Sequence, residues 1–242
     1  MRSHALVNLD AVFDYDAAWA VFQQNMTHRA ALQPFGLRHD NAVGPGHGVD
    51  SIQFYDNNFF LHEEHTREQM ERLAPLGLKW WCEARIDLVL RYSDSTLDAI
   101  RRAGCKMIFF GAESGSDWVL LDMKKQLKTE QTLELASRIR QFGIIPEFSF
   151  VIGNPRDPER DTAECFQFVR RLKRLNPASE IILYPYIPVP QRDRMYGDVE
   201  GQMEFPSTPE EWAAPRWQNF AVRKSPRTPW VRLRPERRAY VD

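Results

Sequence analysis

Cysteine is scarce in this chain: Cys82, Cys105 and Cys165 are the only three in 242 residues. An odd number of widely spaced thiols argues against a disulfide framework and points to a reducing, cytoplasmic setting. Long apolar runs are missing as well. No stretch approaches the roughly 18 residues of a membrane span. The opening "MRSHALVNLDAVFDYD" lacks the basic-then-apolar order of a secretory signal. Nor does one sign of charge dominate. Lys and Arg number 32 against 33 Asp and Glu, a formal net charge of -1. That balance disfavours a nucleic acid or an acidic polymer as the main partner and leaves a small-molecule substrate. The Arg-rich "RLRPERR" near the end reads as a solvated terminus.

What is present is rhythm. From Asp50 onward, strand patterns alternate with helix patterns. "DSIQFYD", "LKWWCEARID", "KMIFFGA", "PEFSFVIGNP" and "SEIILYPYIPVP" read as strands. "HEEHTREQMERLAPLG", "SDSTLDAIRRAGC", "TEQTLELASRIRQFGI" and "DTAECFQFVRRLKRLN" read as helices between them. Gly77, Gly104 and Gly143 close the first three helices, and Ser93 or Asp94 caps the second. Strand–helix units of about 30 residues imply parallel strands with helical crossovers. The strands are apolar at nearly every position, as expected when both faces are covered. The expectation is an α/β fold: an open doubly wound sheet or a partial (βα) barrel, with ligands at the C-terminal strand ends.

Polar residues gather at those ends. Asp56 ends the first strand pattern, Glu83 and Arg85 the second, Glu113 the third, and Gly153 and Asn154 the fourth. Alternation puts Trp81, Glu83 and Arg85 on one face, with Trp80, Cys82 and Ala84 on the other. Met107, Phe109, Gly111 and Glu113 likewise share a face. The ends of the chain fit the rhythm poorly. Residues 1–47 hold four of the six histidines and form an atypical N-terminal segment. Residues 48–190 carry the barrel pattern, and 191–242 read as an irregular extension with one or two short helices, "TPEEW" starting one.

"IQFYDNNFF", "WWCEARID", "AGCKMIFFGAESGS" and "FSFVIGNP", in that order, resemble the radical S-adenosylmethionine (SAM) enzymes. More narrowly they resemble the cobalamin-binding-domain branch that includes anaerobic porphyrin cyclase-like proteins. "PVPQRDRMYG" and the Trp-rich stretch up to Trp230 are similar to that branch's region after the barrel strands. The resemblance implies a partial TIM-like barrel, SAM, and a 4Fe-4S cluster that cleaves SAM reductively. It also implies an electron-donor protein as a candidate partner, and cobalamin as a cofactor found in the family. It implies that Asp56, Asn57 and Asn58 face the methionine amino group. Glu83 would face the ribose hydroxyls, and Glu113 with Ser114 the ribose or methionine moiety. Lys125 would approach the methionine carboxylate, with Ile152 and Gly153 of "VIGNP" along the adenine. These residue types suit such a ligand. Carboxylates accept from diols and ammonium groups, Lys neutralises a carboxylate, and Gly admits a flat base.

Each residue also has a plainer reading. Glu113 could be a strand-end carboxylate beside the next helix, Glu83 the ion partner of Arg85 or of another neighbour, Asp56–Asn58 an Asx turn, and Lys125 a solvated helix lysine. The C-x3-C-x2-C loop that the family uses for its cluster is missing, because residues 1–47 contain no cysteine. The three cysteines read as small buried residues, and no residue is assigned as a metal ligand. His62 and His65 in "HEEH" do not match the HExxH spacing. The first βα unit is therefore expected to be atypical or missing, through truncation, an altered start or a frameshift. Two other functions stay open. One is a non-catalytic, degenerate barrel. The other is a SAM-independent hydrolase whose Glu83 and Glu113 stand roughly 5–9 Å apart as acid and base.

Overall fold

The computed structural model describes residues 5–7, 51–188, 195–200 and 204–221. Six strands appear in chain order: β1 (Ala5–Val7), β2 (Ser51–Phe54), β3 (Lys79–Ala84), β4 (Cys105–Glu113), β5 (Ile145–Ile152) and β6 (Glu180–Pro185). The helices between them are α1 (Glu63–Leu73), α2 (Ile86–Val89), α3 (Asp94–Arg102), α4 (Asp117–Asp122), α5 (Thr129–Arg140) and α6 (Pro158–Leu175). Three short helices follow: α7 (Gly197–Glu200), α8 (Pro209–Trp212) and α9 (Pro215–Ala221). The strands lie side by side in sequence order. β2 to β6 make an open, all-parallel sheet, as a partial barrel requires.

The first position of the sheet is filled. β1 pairs in parallel with β2, setting Ala5 against Ile52 and Val7 against Phe54. The first strand is thus present but only three residues long, an atypical start to the series and one of the two forms expected. The rest of residues 1–47 lies outside the described residues. One helix between the strands, α2, went unread in the sequence: Arg85 leaves the strand to become its N-cap position. The helix expected after the "SGS" loop is α4, beginning at Asp117.

The chain groups into two compact units. One comprises Met1–Gly111, Gln131–Phe148 and Asn176–Glu180, the other Ala112–Glu130, Ser149–Leu175 and Ile181–Asp242. In the first unit, Trp80, Cys82 and Ala84 of β3 are buried while Trp81 and Glu83 are half-buried. Ile108 and Phe110 of β4 repeat the pattern beside half-buried Met107 and Phe109. The period of two places one face of the sheet in the core and leaves the other partly open. The expectation of two fully covered faces is thus met on one face only, the other carrying half-buried residues in β3 and β4.

The covered face is aromatic. The Phe54 and Phe59 rings stand 4.5 Å apart, and Trp80 meets Phe54 edge-on at 5.7 Å. Each such buried ring contributes about 1.5–3 kcal/mol. The Trp80 indole nitrogen donates to the Ala103 carbonyl at 2.8 Å, so the ring costs no unpaired donor. Among the described residues no helix is long and apolar enough to cross a membrane.

One glycine fixes the α3–β4 turn. Gly104 has φ +101°, and a Cβ there would stand 1.9 Å from the Leu78 carbonyl oxygen. Gly104→Ala is expected to destabilise the chain by more than about 3 kcal/mol, since it adds backbone strain to a clash with backbone. Urea unfolding monitored by tryptophan fluorescence would measure it; a loss below about 1 kcal/mol would refute this account.

Candidate functional site

In the second unit the chain turns sharply after β4. Glu113 has φ +64°, and the Ser114 amide donates to the Ala112 carbonyl at 2.7 Å, an i-to-i+2 bond. A left-handed non-glycine residue costs about 1–2 kcal/mol, so something must hold the turn in place. Helix α6 does so. A Cβ on Gly115 would fall 2.6 Å from Phe168 Cβ and 2.9 Å from Cys165 Cα, so only glycine seats the loop on that helix. Ser114 is fully buried, and its hydroxyl accepts from the Ser116 amide at 3.1 Å. The Ser116 hydroxyl donates to the Glu164 carboxylate. The Trp118 indole donates to the same oxygen at 2.9 Å, while Arg160 donates to the other at 2.8 Å. "SGS" is therefore the anchor, and Glu113 is the half-buried residue it presents.

Helix α4 then ends in a Schellman turn. The Lys125 amide donates to the Leu120 carbonyl at 2.8 Å and the Lys124 amide to Leu121 at 2.9 Å. Lys124 takes the left-handed position with φ +55°. This reversal brings Lys125 Nζ within 2.8 Å of Glu113 Oε1. Both side chains keep solvent access, at 40% for Lys125 and 25% for Glu113. A pair so exposed contributes at most about 1 kcal/mol to stability. Yet the two positive-φ non-glycine residues among those described, Glu113 and Lys124, both serve to assemble it. Strained residues cluster at functional sites, although a left-handed residue such as Lys124 is also an ordinary way to end a helix.

The end of β5 lies in the same unit. Gly153 has φ +83°, and a Cβ there would meet nothing within 4 Å. Its neighbour Ile152 is fully buried. The Gly153 and Asn154 amides both donate to Asp161 Oδ2 at 2.8 Å. The Asn154 side-chain amide donates to the Tyr196 hydroxyl at 3.0 Å and to Asp122 at 3.3 Å. Arg156 reaches Asp122 at 2.9 Å and Asp198 of α7 at 2.8 Å. Asn154 is thus committed to holding the extension.

The remaining candidates belong to the first unit. Asn58 Oδ1 accepts from the Arg85 amide at 3.3 Å, and the Phe59 amide donates to the Glu83 carbonyl at 2.8 Å. Asp56 is half-buried beside exposed Asn57. Arg85 pairs with Asp87 at 3.0 Å, so it is not the ion partner of Glu83. The carboxyl group that acts on Glu83 is Glu147. Burial, then the charge of Glu147, raises the Glu83 pKa above its ordinary value. Glu147 in turn accepts from the Trp81 indole at 3.2 Å. Glu147 escaped the sequence reading. Its signal was a single acid inside the apolar strand "IPEFSFVI", where a parallel sheet has little room for one.

The thiols do not fit an iron–sulfur cluster. Cys82, Cys105 and Cys165 are unpaired and buried. Burial pushes the Cys82 thiol well up and Cys165 to about 12, away from the thiolate that a cluster requires. Among the described residues no group of three His, Cys, Asp or Glu could hold a metal. SAM is a different case. A lysine beside a carboxylate suits a zwitterionic amino acid, and a strand-end glycine with room at its Cα, in the same unit, suits a flat base.

No family model matches the chain. An uncharacterized methyltransferase of Pyrococcus horikoshii is 25% identical over 142 residues, 58% of this chain and 30% of that protein. The chain therefore spans less than a third of that relative's length. An archaeal Elp3 from Methanocaldococcus infernus, lacking its N-terminus, superposes with a TM-score of 0.51 at 13% identity, covering 81% of this chain and 48% of that one. Coproporphyrinogen III oxidase (HemN) of Escherichia coli, a radical SAM enzyme, gives 0.50 at 17% identity over 72% of this chain and 38% of that one. The fold is that of the radical SAM enzymes.

Two consequences of this radical SAM sheet can be measured. Glu147→Gln removes a like charge and should lower the Glu83 pKa without returning it fully to normal, because burial remains the larger cause. Carboxyl carbon NMR titration reads this, and an unchanged Glu83 would refute the coupling. Lys124→Gly should stabilise the chain by about 0.5–1 kcal/mol, as relief of left-handed strain outweighs the added chain entropy. A drop in denaturation midpoint would contradict the Schellman assignment.

Proposed function

We propose that this chain binds SAM as part of a radical SAM-type core of methyltransferase lineage. The observation that carries the reading is the Glu113–Lys125 pair, held at 2.8 Å at a strand end by two strained residues. Opened by a ligand, Lys125 neutralises the methionine carboxylate. Glu113 accepts from the ammonium group or the ribose hydroxyls. Gly153 lets the adenine approach backbone. For Asp56, Asn57, Asn58 and Glu83, all in the first unit, the roles toward the amino group and the ribose rest on the family resemblance alone. Bound SAM supplies an activated methyl group or, on one-electron reduction in this fold's enzymes, a deoxyadenosyl radical. No radical step is assigned to this chain, because its own thiols do not fit a cluster. The methyltransferase description of the Pyrococcus relative supports the lineage; the substrate is a small molecule.

Calorimetric titration of the chain with SAM tests the reading. Binding is expected with a Kd on the order of 10 μM, weakened at least about tenfold by Glu113→Gln and by Lys125→Met. A folded chain that gives no heat with SAM would overturn it in favour of a non-catalytic barrel. Iron after anaerobic reconstitution should stay near zero. About four irons per chain would mean that the thiol argument is wrong.

A further inference from the structure

Asp161 lies in the first turn of α6, an 18-residue helix, and is fully buried. One oxygen, Oδ2, takes both N–H groups of the Gly153–Asn154 turn at 2.8 Å each. The other, Oδ1, is buried with no hydrogen-bond partner. Asp161's backbone amide donates to the Asp157 carbonyl at 3.0 Å. The charged and titratable groups acting on the carboxylate are Glu164 and Asp157, both acidic, and it acts in turn on the Cys165 thiol. No cation compensates it among these groups.

Stability alone does not account for this arrangement. An unpaired buried carboxylate oxygen costs more than a hydrogen bond returns. Burial pushes the Asp161 carboxyl up to about 6, even though two amides pull it down. An acid raised from 3.8 to about 6 in the folded state is the less ionised there, so stability falls as pH climbs through that window. At neutral pH the charge is a net burden on the fold. What it delivers is local. The sheet leaves the Gly153 and Asn154 amides unpaired at a left-handed turn, and one charged oxygen closes both. The same turn sets Asn154, whose side chain grips Tyr196 and Asp122.

We infer that Asp161 is a positioning residue for the adenosine side of the SAM site: it sets the Gly153–Asn154 turn and, through that turn, the affinity for SAM. This rests on the SAM-binding reading above. Asp161 touches backbone and not the ligand, so its effect is to be read in turn geometry and in pH dependence.

The test uses the full chain as wild type, Asp161→Asn and Asp161→Ala. Hydrogen exchange over residues 151–155 is followed without ligand, and SAM affinity is titrated between about pH 5 and 8. Asp161→Ala should expose the Gly153 and Asn154 amides and weaken SAM binding at least about tenfold. Asp161→Asn keeps an acceptor oxygen. It should keep both amides protected while losing the change in affinity that the wild type shows near pH 6. If Asp161→Ala fails to fold, that difference in pH profile decides alone: identical profiles for wild type and Asp161→Asn overturn the inference. Amides still protected in Asp161→Ala, or exposed amides with wild-type SAM affinity, also overturn it. Wild type that binds no SAM defeats the functional reading and with it the affinity claim. The exchange result still shows separately whether Asp161 holds the turn.

Discussion

The strand ends of the second unit depend on one close contact, the backbone of Gly115 against helix α6. No side chain fits between them. From that seat the rest follows. Ser116 and Trp118 reach the Glu164 carboxylate on the helix, Phe168 packs edge-on against Phe150 of β5, and Asp161, one turn before Glu164, grasps the end of the same strand. A single helix thus fixes the exits of both β4 and β5. It is long enough to do so: 18 residues span about 27 Å at 1.5 Å per residue.

Charge placement around that frame follows backbone conformation. Where an ion pair serves only solubility, its partners sit on relaxed backbone, as Arg101 and Asp98 do one turn apart on α3. Glu113 and Lys125 meet only because a positive-φ residue stands at each end of the connection. In the first unit two acids, Glu83 and Glu147, share the half-open face of the sheet near the Trp81 indole. Carboxylates left in one another's field on an open sheet face are available to a polar ligand in a way that paired ones are not.

Fold and cofactor chemistry part company in this chain. The parallel sheet and its crossovers match the radical SAM architecture, while the chain's thiols sit in the core. Cys82 alternates with Trp81 and Glu83 into the covered face, Cys105 opens β4, and Cys165 lies under the Gly115 contact. Each fills space in a close-packed interior, which is a packing role.

Much of this was legible in residue order. The βα rhythm, the glycine stops, the Ser93 and Thr208 caps, and the polar residues at strand ends all rest on local rules: periodicity, backbone freedom and side-chain capping. By itself the sequence determined the parallel α/β class, the alternation of faces along β3 and β4, and the burial of the cysteines. Only the tertiary structure decided which side chains meet. That Lys125 turns back to Glu113, that Arg85 leaves Glu83 for Asp87, that Glu147 takes its place, and that Asp161 closes two amides are all outcomes of non-local packing. Such pairings depend on a crossover's length and on a turn's handedness, and a window of a few residues contains neither.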